Sequence, residues 1–112
     1  MLAKKYRLTK QNDFKRIFEG GQKGFGSLFC IRFFANNLDY CRVAVVVNNK
    51  VSKKAVERNI LKRQVRAVIQ SNFANFKQNS DIMINVLPRA VGKEYAELSE
   101  DLLKTLKKIK LL

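Results

Sequence analysis

A chain of 112 residues, 46% of them apolar, suits one folded domain with one modest core and excludes the disordered class. Lysine and arginine number 23 against 9 acidic residues, a formal charge of +14 with an isoelectric point near 10.2. So large an excess repels itself in a compact domain and calls for a polyanionic partner, of which nucleic acid is the commonest.

No stretch approaches the ~18 apolar residues of a membrane span. The opening "MLAKKYRLTK" carries charge but lacks the apolar centre of a secretory signal. The two cysteines cannot by themselves close a structural zinc site, and a cytoplasmic protein with reduced thiols is expected. Histidine is absent, which excludes Ser-His or Cys-His nucleophilic catalysis and a histidine general base. Glu94, Glu97, Glu100 and Asp101 read as one solvated helix face, leaving Asp13, Glu19, Asp39, Glu57 and Asp81 scattered, with no obvious metal-holding pair. No catalytic residue and no metal ligand is assigned.

In chain order, "LTKQNDFKRIFEGG" reads as a first helix, with Thr9 or Asn12 as its cap and Gly20-Gly21 as its end. "QKGFGS" reads as a flexible loop. "SLFCIRFFA" is a strand whose odd positions Phe29, Ile31 and Phe33 are apolar. "NNLD" signals a turn, and "CRVAVVVNN" reads as the second strand of a hairpin, with Val43, Val45 and Val47 toward the core. Matching these faces puts Cys30 and Cys41 on opposite sides of the sheet, which blocks a disulfide.

"VSKKAVERNILKRQVRAVIQSNF" is the longest helical pattern, with Ser52 as its cap. "DIMINVL" is a further strand, with Ile82, Ile84 and Val86 on one side and Pro88 stopping it. "EYAELSEDLLKTLKKI" is a final helix burying Tyr95, Leu98, Leu102, Leu106 and Ile109. The predicted order is α-β-β-α-β-α: one α+β domain over 1–112, helices on a small sheet, with room for a short extra strand inside 42–52.

The long helix holds the clearest functional signal. At about 100° per residue, Arg58, Asn59, Lys62, Arg63 and Arg66 share one arc with Lys54 beside it. Val56, Ile60, Leu61, Val65, Ala67 and Val68 fill the opposite, dry arc, with Ile60 at its boundary. An ordinary solvated face interleaves acids with bases at i,i+4. Residues 53 to 66 instead carry Lys53, Lys54, Arg58, Lys62, Arg63 and Arg66 against Glu57 alone. Arginine forks suit phosphate oxygens, and Asn59 suits a ribose hydroxyl or base edge, so this is a candidate RNA-binding face. Phe14 and Phe18, i,i+4 on the first helix, fit either core packing or base stacking, as does Phe25 between its glycines. Arg32, Arg42 and Asn48, on the less apolar sheet face, could complete a stacking groove.

The run "AVERNILKRQVRAVI" resembles the signature helix of the bacterial ribonuclease P protein component family. The similarity extends from about Tyr6 to Leu106 and takes in "LTKQNDFKRIFEGG", "RVAVVV" and "IMINVLPRA". The resemblance implies the non-catalytic protein subunit of an endoribonuclease whose RNA removes the 5′ leader of precursor tRNA with Mg²⁺, an ion bound mainly by that RNA. It implies a left-handed β-α-β crossover on a mixed sheet and a subunit monomeric within its complex, away from membranes. By position, Lys53, Lys54, Arg58, Asn59, Lys62, Arg63 and Arg66 would bind the catalytic RNA. Phe14, Phe18, Arg32, Lys62 and Arg66 would form the leader cleft.

Three departures stand out. Ile60 replaces the family's second signature arginine, the usual "SKK" after the second strand reads "NNK", and Arg32 stands where a leader-contacting aromatic is common. The alternatives to this role are a basic RNA-binding or ribosomal protein without a part in cleavage, and a self-sufficient protein nuclease, which the lack of histidine disfavours.

Overall fold

The computed structural model describes residues 3–77 and 79–112. Helix α1 (Gln11–Gly20) is followed by strands β1 (Gln22–Phe25), β2 (Phe29–Ala35) and β3 (Arg42–Val46). Helix α2 (Ala55–Asn72), strand β4 (Ser80–Val86) and helix α3 (Tyr95–Lys108) complete the α+β fold. The sheet order is β1-β2-β4-β3, with β1/β2 and β2/β4 antiparallel and β3/β4 parallel.

This order corrects the expected hairpin. β2 and β3 do not pair, because β4 lies between them, aligning Ile82 with Phe33 on one side and Val43 on the other. Of the seven β4 residues only Asn85 escapes full burial. A strand covered on both faces and paired on both edges belongs at the centre of a sheet. The β2–β3 connection is fastened there by Asn36, whose side-chain amide donates to Asp81 at 3.0 Å and to the Tyr40 carbonyl at 3.3 Å.

The extra strand is β1, not a segment of 42–52, and the supposed loop pairs residue by residue with β2 from Gln22↔Phe33 to Phe25↔Cys30. Its glycines mark close approach rather than flexibility: a Cβ on Gly24 would fall 2.2 Å from Ile109 Cγ2. Gly21, which follows α1, has extended φ, and a Cβ there would fall 2.4 Å from the Ile17 carbonyl oxygen. It is needed for space, not for a left-handed cap.

The sheet has two unequal cores. On one face Phe29, Ile31, Phe33, Val43, Ile82, Ile84 and Val86 meet Leu61, Val65, Val68 and Ile69 of α2 and Leu98, Leu102 and Leu106 of α3. Each fully buried side chain of this size contributes about 1.5–3 kcal/mol, so this face dominates stability. On the other, Ile17 of α1 packs with Leu8 and Met83, flanked by Phe14, Phe34, Ala44 and Val46.

The β3-α2-β4 unit joins adjacent parallel strands, and its hand follows from residue chirality. With both strands running upward and α2 toward the viewer, an L-residue whose side chain points forward carries its carbonyl to the right. Val43 packs into the α2-side core, and its carbonyl accepts the Leu8 amide at 3.0 Å on the strand's outer edge. β4 therefore lies to the left of β3, and the crossover is left-handed, against the general rule.

Helix ends differ from expectation. Neither Thr9 nor Asn12 caps α1; Lys10 holds the cap position and its side chain makes no capping bond. Ser52 lies two residues before the cap of α2, where its hydroxyl accepts the Lys54 amide and donates to Glu57. Tyr95, the first residue of α3, is 43% exposed and outside the buried stripe, and Ile109 is only partly buried. Asp101 is not part of a solvated acidic face. Its two carboxylate oxygens accept the Ser27 and Leu28 amides at 3.2 and 3.0 Å, pinning the β1–β2 turn to α3.

Both cysteines are buried, and neither is in a disulfide among the described residues. Cys41 belongs to the α2-side core and Cys30 alternates onto the opposite face. Burial pushes the Cys41 thiol above its ordinary value, outweighing the lowering by its bond to the Ser80 backbone. At about pH 8 the folded protein should therefore resist aromatic disulfide reagents and release both thiols only with unfolding. Rapid labelling of the native state, or an intramolecular Cys30–Cys41 crosslink, would contradict this packing.

Candidate RNA-binding face and cleft

Helix α2 presents the cationic face with a narrower dry stripe than the periodicity suggested. Its buried residues are Leu61, Val65, Val68 and Ile69. Val56 and Ile60 are 70% and 45% exposed and Ala67 is exposed, so none belongs to the dry half. The reason is placement: no residue of 55–60 is buried, so the first turns of α2 stand clear of the core. Ile60 thus stands on the surface beside the cations rather than packing inward.

Lys53, Lys54, Asn59 and Arg63 are exposed, while Arg58, Lys62 and Arg66 are half-buried. Arg58 is partly committed, since its Nη1 donates to the Ser52 carbonyl at 2.9 Å and braces the turn entering α2. Glu57 is turned toward Ser52. Asn59, Lys62, Arg63, Arg66 and Gln70 line a shallow depression of about 420 Å³. Forked guanidinium donors in a shallow groove suit phosphate oxygens better than a small buried ligand.

A second depression, about 280 Å³, lies where α1, β3 and α2 meet. Phe14 and Arg66 line it together with Arg7, Thr9 and the β3 residues Ala44 and Val46. Arg66 borders both depressions, so the cationic face and the aromatic cleft are continuous.

The other proposed cleft residues are placed differently. Lys62 lines the α2 depression and not this one. Phe18 and Arg32 do not line this depression but meet beside it between α1 and β2, the Arg32 guanidinium resting 4.8 Å from the ring centroid of the 55% exposed Phe18. This is cation–π geometry, with the ring left open to solvent. Asn48 accepts the Lys50 amide in its own turn at 2.9 Å.

Arg42 does not complete a stacking groove. Its guanidinium donates to both Asp81 oxygens at 2.8 and 2.7 Å and lies 3.3 Å from Asp13 Oδ2. Arg16 pairs with the other Asp13 oxygen at 2.7 Å. Hydrogen bonding to Asp81 pushes the Arg42 guanidinium further up, so it stays charged. Asp13 and Asp81, far apart in sequence, thus meet around a cation that ties α1 to the sheet. Arg7 and Thr9 were missed because the N-terminal run has no periodicity; Arg7 reaches the cleft by bridging to Val43.

Among the described residues no helix is long and apolar enough to cross a membrane, and no group of three or more Cys, Asp or Glu side chains is placed to hold a metal ion. The Ribonuclease P family model matches residues 2–110. The ribonuclease P protein component of a Pseudanabaena strain is 35% identical over 113 residues, spanning 100% of this chain and 97% of that protein. The Synechocystis protein of that name is 36% identical, with 90% of this chain and 82% of its own length covered. Among solved structures, a Staphylococcus aureus RNase P protein mutant with defective mRNA degradation activity superposes with a TM-score of 0.91 at 26% identity, covering 97% and 92% of the two chains. The Thermotoga maritima RNase P protein gives 0.83 at 31% identity, covering 91% and 96%. With the cationic helix, the left-handed crossover and the adjoining cleft in place, the chain belongs to the ribonuclease P protein component family, the RNA-binding subunit of that ribonucleoprotein.

Proposed function

We propose that this subunit binds the catalytic RNA along α2 and the single-stranded 5′ leader of precursor tRNA in the adjoining cleft, in the cytoplasm, while the RNA carries out cleavage. Lys53, Lys54, Arg58, Asn59, Lys62, Arg63 and Arg66 meet catalytic-RNA phosphates and riboses. Phe14 and Arg66 hold a leader nucleotide by stacking and charge, and Phe18 with Arg32 supplies a second stacking position beyond the cleft. Arg66 carries this reading, because it borders both depressions and so adjoins both RNAs.

The protein's part is electrostatic. Its cations offset phosphate repulsion where substrate and catalytic RNA converge, which lowers the Mg²⁺ that assembly requires. The carboxylates that do come together, Asp13 and Asp81, enclose Arg42 rather than an open cation position, and this reading leaves Mg²⁺ mainly to the RNA.

Cleavage of a precursor tRNA by the catalytic RNA at low Mg²⁺, with and without the protein, tests it. Addition of the protein should raise the rate at least about tenfold, or ~1.4 kcal/mol, and the gain should shrink when the leader is trimmed. Tight, salt-sensitive RNA binding with no gain in cleavage would point instead to a general RNA-binding protein.

A further inference from the structure

The β1 edge of the sheet carries a surface that the α2 face and the cleft do not use. Phe25, at the end of β1, is 57% exposed. It borders a depression of about 390 Å³ lined also by Ser27, Arg89, Asp101, Lys104 and Lys108. The three cations are exposed, and none has an ion-pair partner among the described residues. The one acid, Asp101, has both oxygens occupied by the turn amides. Glu97 and Glu100 border the next depression along α3, where Glu97 faces Lys93 at 3.8 Å, so the cationic surface has an acidic limit on that side.

The presentation of Phe25 is built rather than incidental. A Cβ on Gly24 would strike Ile109, and one on Gly26 would fall 2.2 Å from Thr105 Oγ1 and 2.8 Å from Asp101 Oδ2. The two glycines let the strand and its turn press onto α3, which fixes the ring between them in solvent. A lone ring among cations is too small for an apolar protein interface. It has the composition of a platform for an unpaired base with its flanking phosphates.

We propose that this surface is a second RNA contact, at the opposite sheet edge from β3, taking an unpaired nucleotide whose base stacks on Phe25 and whose phosphates meet Arg89, Lys104 and Lys108. The site is independent of the leader cleft and does not require that the cleft hold leader.

The test is titration of the full chain with an oligoadenylate of about ten nucleotides. It is done in an Arg63→Ala/Arg66→Ala background, so that the α2 face does not dominate. Phe25→Ala should weaken the remaining binding about fivefold, with Phe25→Tyr retaining it and Phe25→Leu not. Lys104→Ala/Lys108→Ala should weaken it as well and lower the salt slope by about 1.4. Urea midpoints close to the background protein's would show that the fold is kept. Unchanged affinity in Phe25→Ala, or full retention by Phe25→Leu, overturns the stacking site. An unchanged salt slope in the lysine pair overturns the phosphate contacts. The readout is binding, so failure of the cleavage reading would leave this result intact.

Discussion

Replacing Arg63 and Arg66 together by alanine should weaken binding of the catalytic RNA by roughly 100-fold, taking about 1.5 kcal/mol for each charge-assisted contact. The salt dependence of binding should become shallower by about two, since two fewer phosphates are neutralised. Folding should be nearly unaffected, because Arg63 is exposed, Arg66 is half-buried, and neither makes an ion pair among the described residues. Filter binding or fluorescence titration at several salt concentrations measures both quantities. The single variants separate the two roles proposed for the helix. Arg63→Ala should lower affinity for catalytic RNA alone, whereas Arg66→Ala should also reduce discrimination between long and trimmed leaders. Affinity that survives the double substitution would mean that the RNA lies elsewhere. Arg58 is a poorer probe, because its alanine variant also removes the bond to the Ser52 carbonyl that braces the start of α2.

Arg42→Ala should destabilise the fold by about 3–5 kcal/mol, the usual cost of removing one partner from a buried ion pair. The Arg42 side chain is 19% exposed, and those of Asp13 and Asp81 are 6% and 4% exposed. Without the guanidinium, Asp81 keeps the Asn36 amide and Asp13 keeps Arg16. Urea unfolding followed by circular dichroism reads the loss directly. Arg42→Ala/Asp81→Leu should be more stable than the single variant, because it no longer buries an unanswered carboxylate. A loss below about 1 kcal/mol in the single variant would show that the triad is solvated and weak. The triad also holds α1 over β2 and β4, so a folded variant should bind leader less well while keeping its affinity for catalytic RNA.

The sequence by itself determined the elements and most of the faces that depend on local periodicity. Three helices, the strands β2, β3 and β4, the inward valines and isoleucines of those strands, and the cationic arc of α2 all follow from residue spacing, because a helix or strand fixes which side chains share a face. Family resemblance, carried by "AVERNILKRQVRAVI", added the crossover that general chirality rules disfavour.

Only the tertiary structure decided which strands are neighbours and which charges meet. β4 displaced β3 from β2 because an almost wholly buried strand takes the centre of a sheet, and hairpin signals between neighbours in sequence carry no information about a third strand. β1 was hidden because Gly24 and the neighbouring Gly26 look like a loop until α3 and the Ile109 that follows it pack against them. Val56 and Ile60 looked dry because helical spacing gives direction but not the place where the core ends. Arg42 looked available until Asp13 and Asp81, 68 residues apart in the chain, were brought to it from α1 and β4. Spacing along a chain orients side chains within one element, and contacts between elements are set by packing.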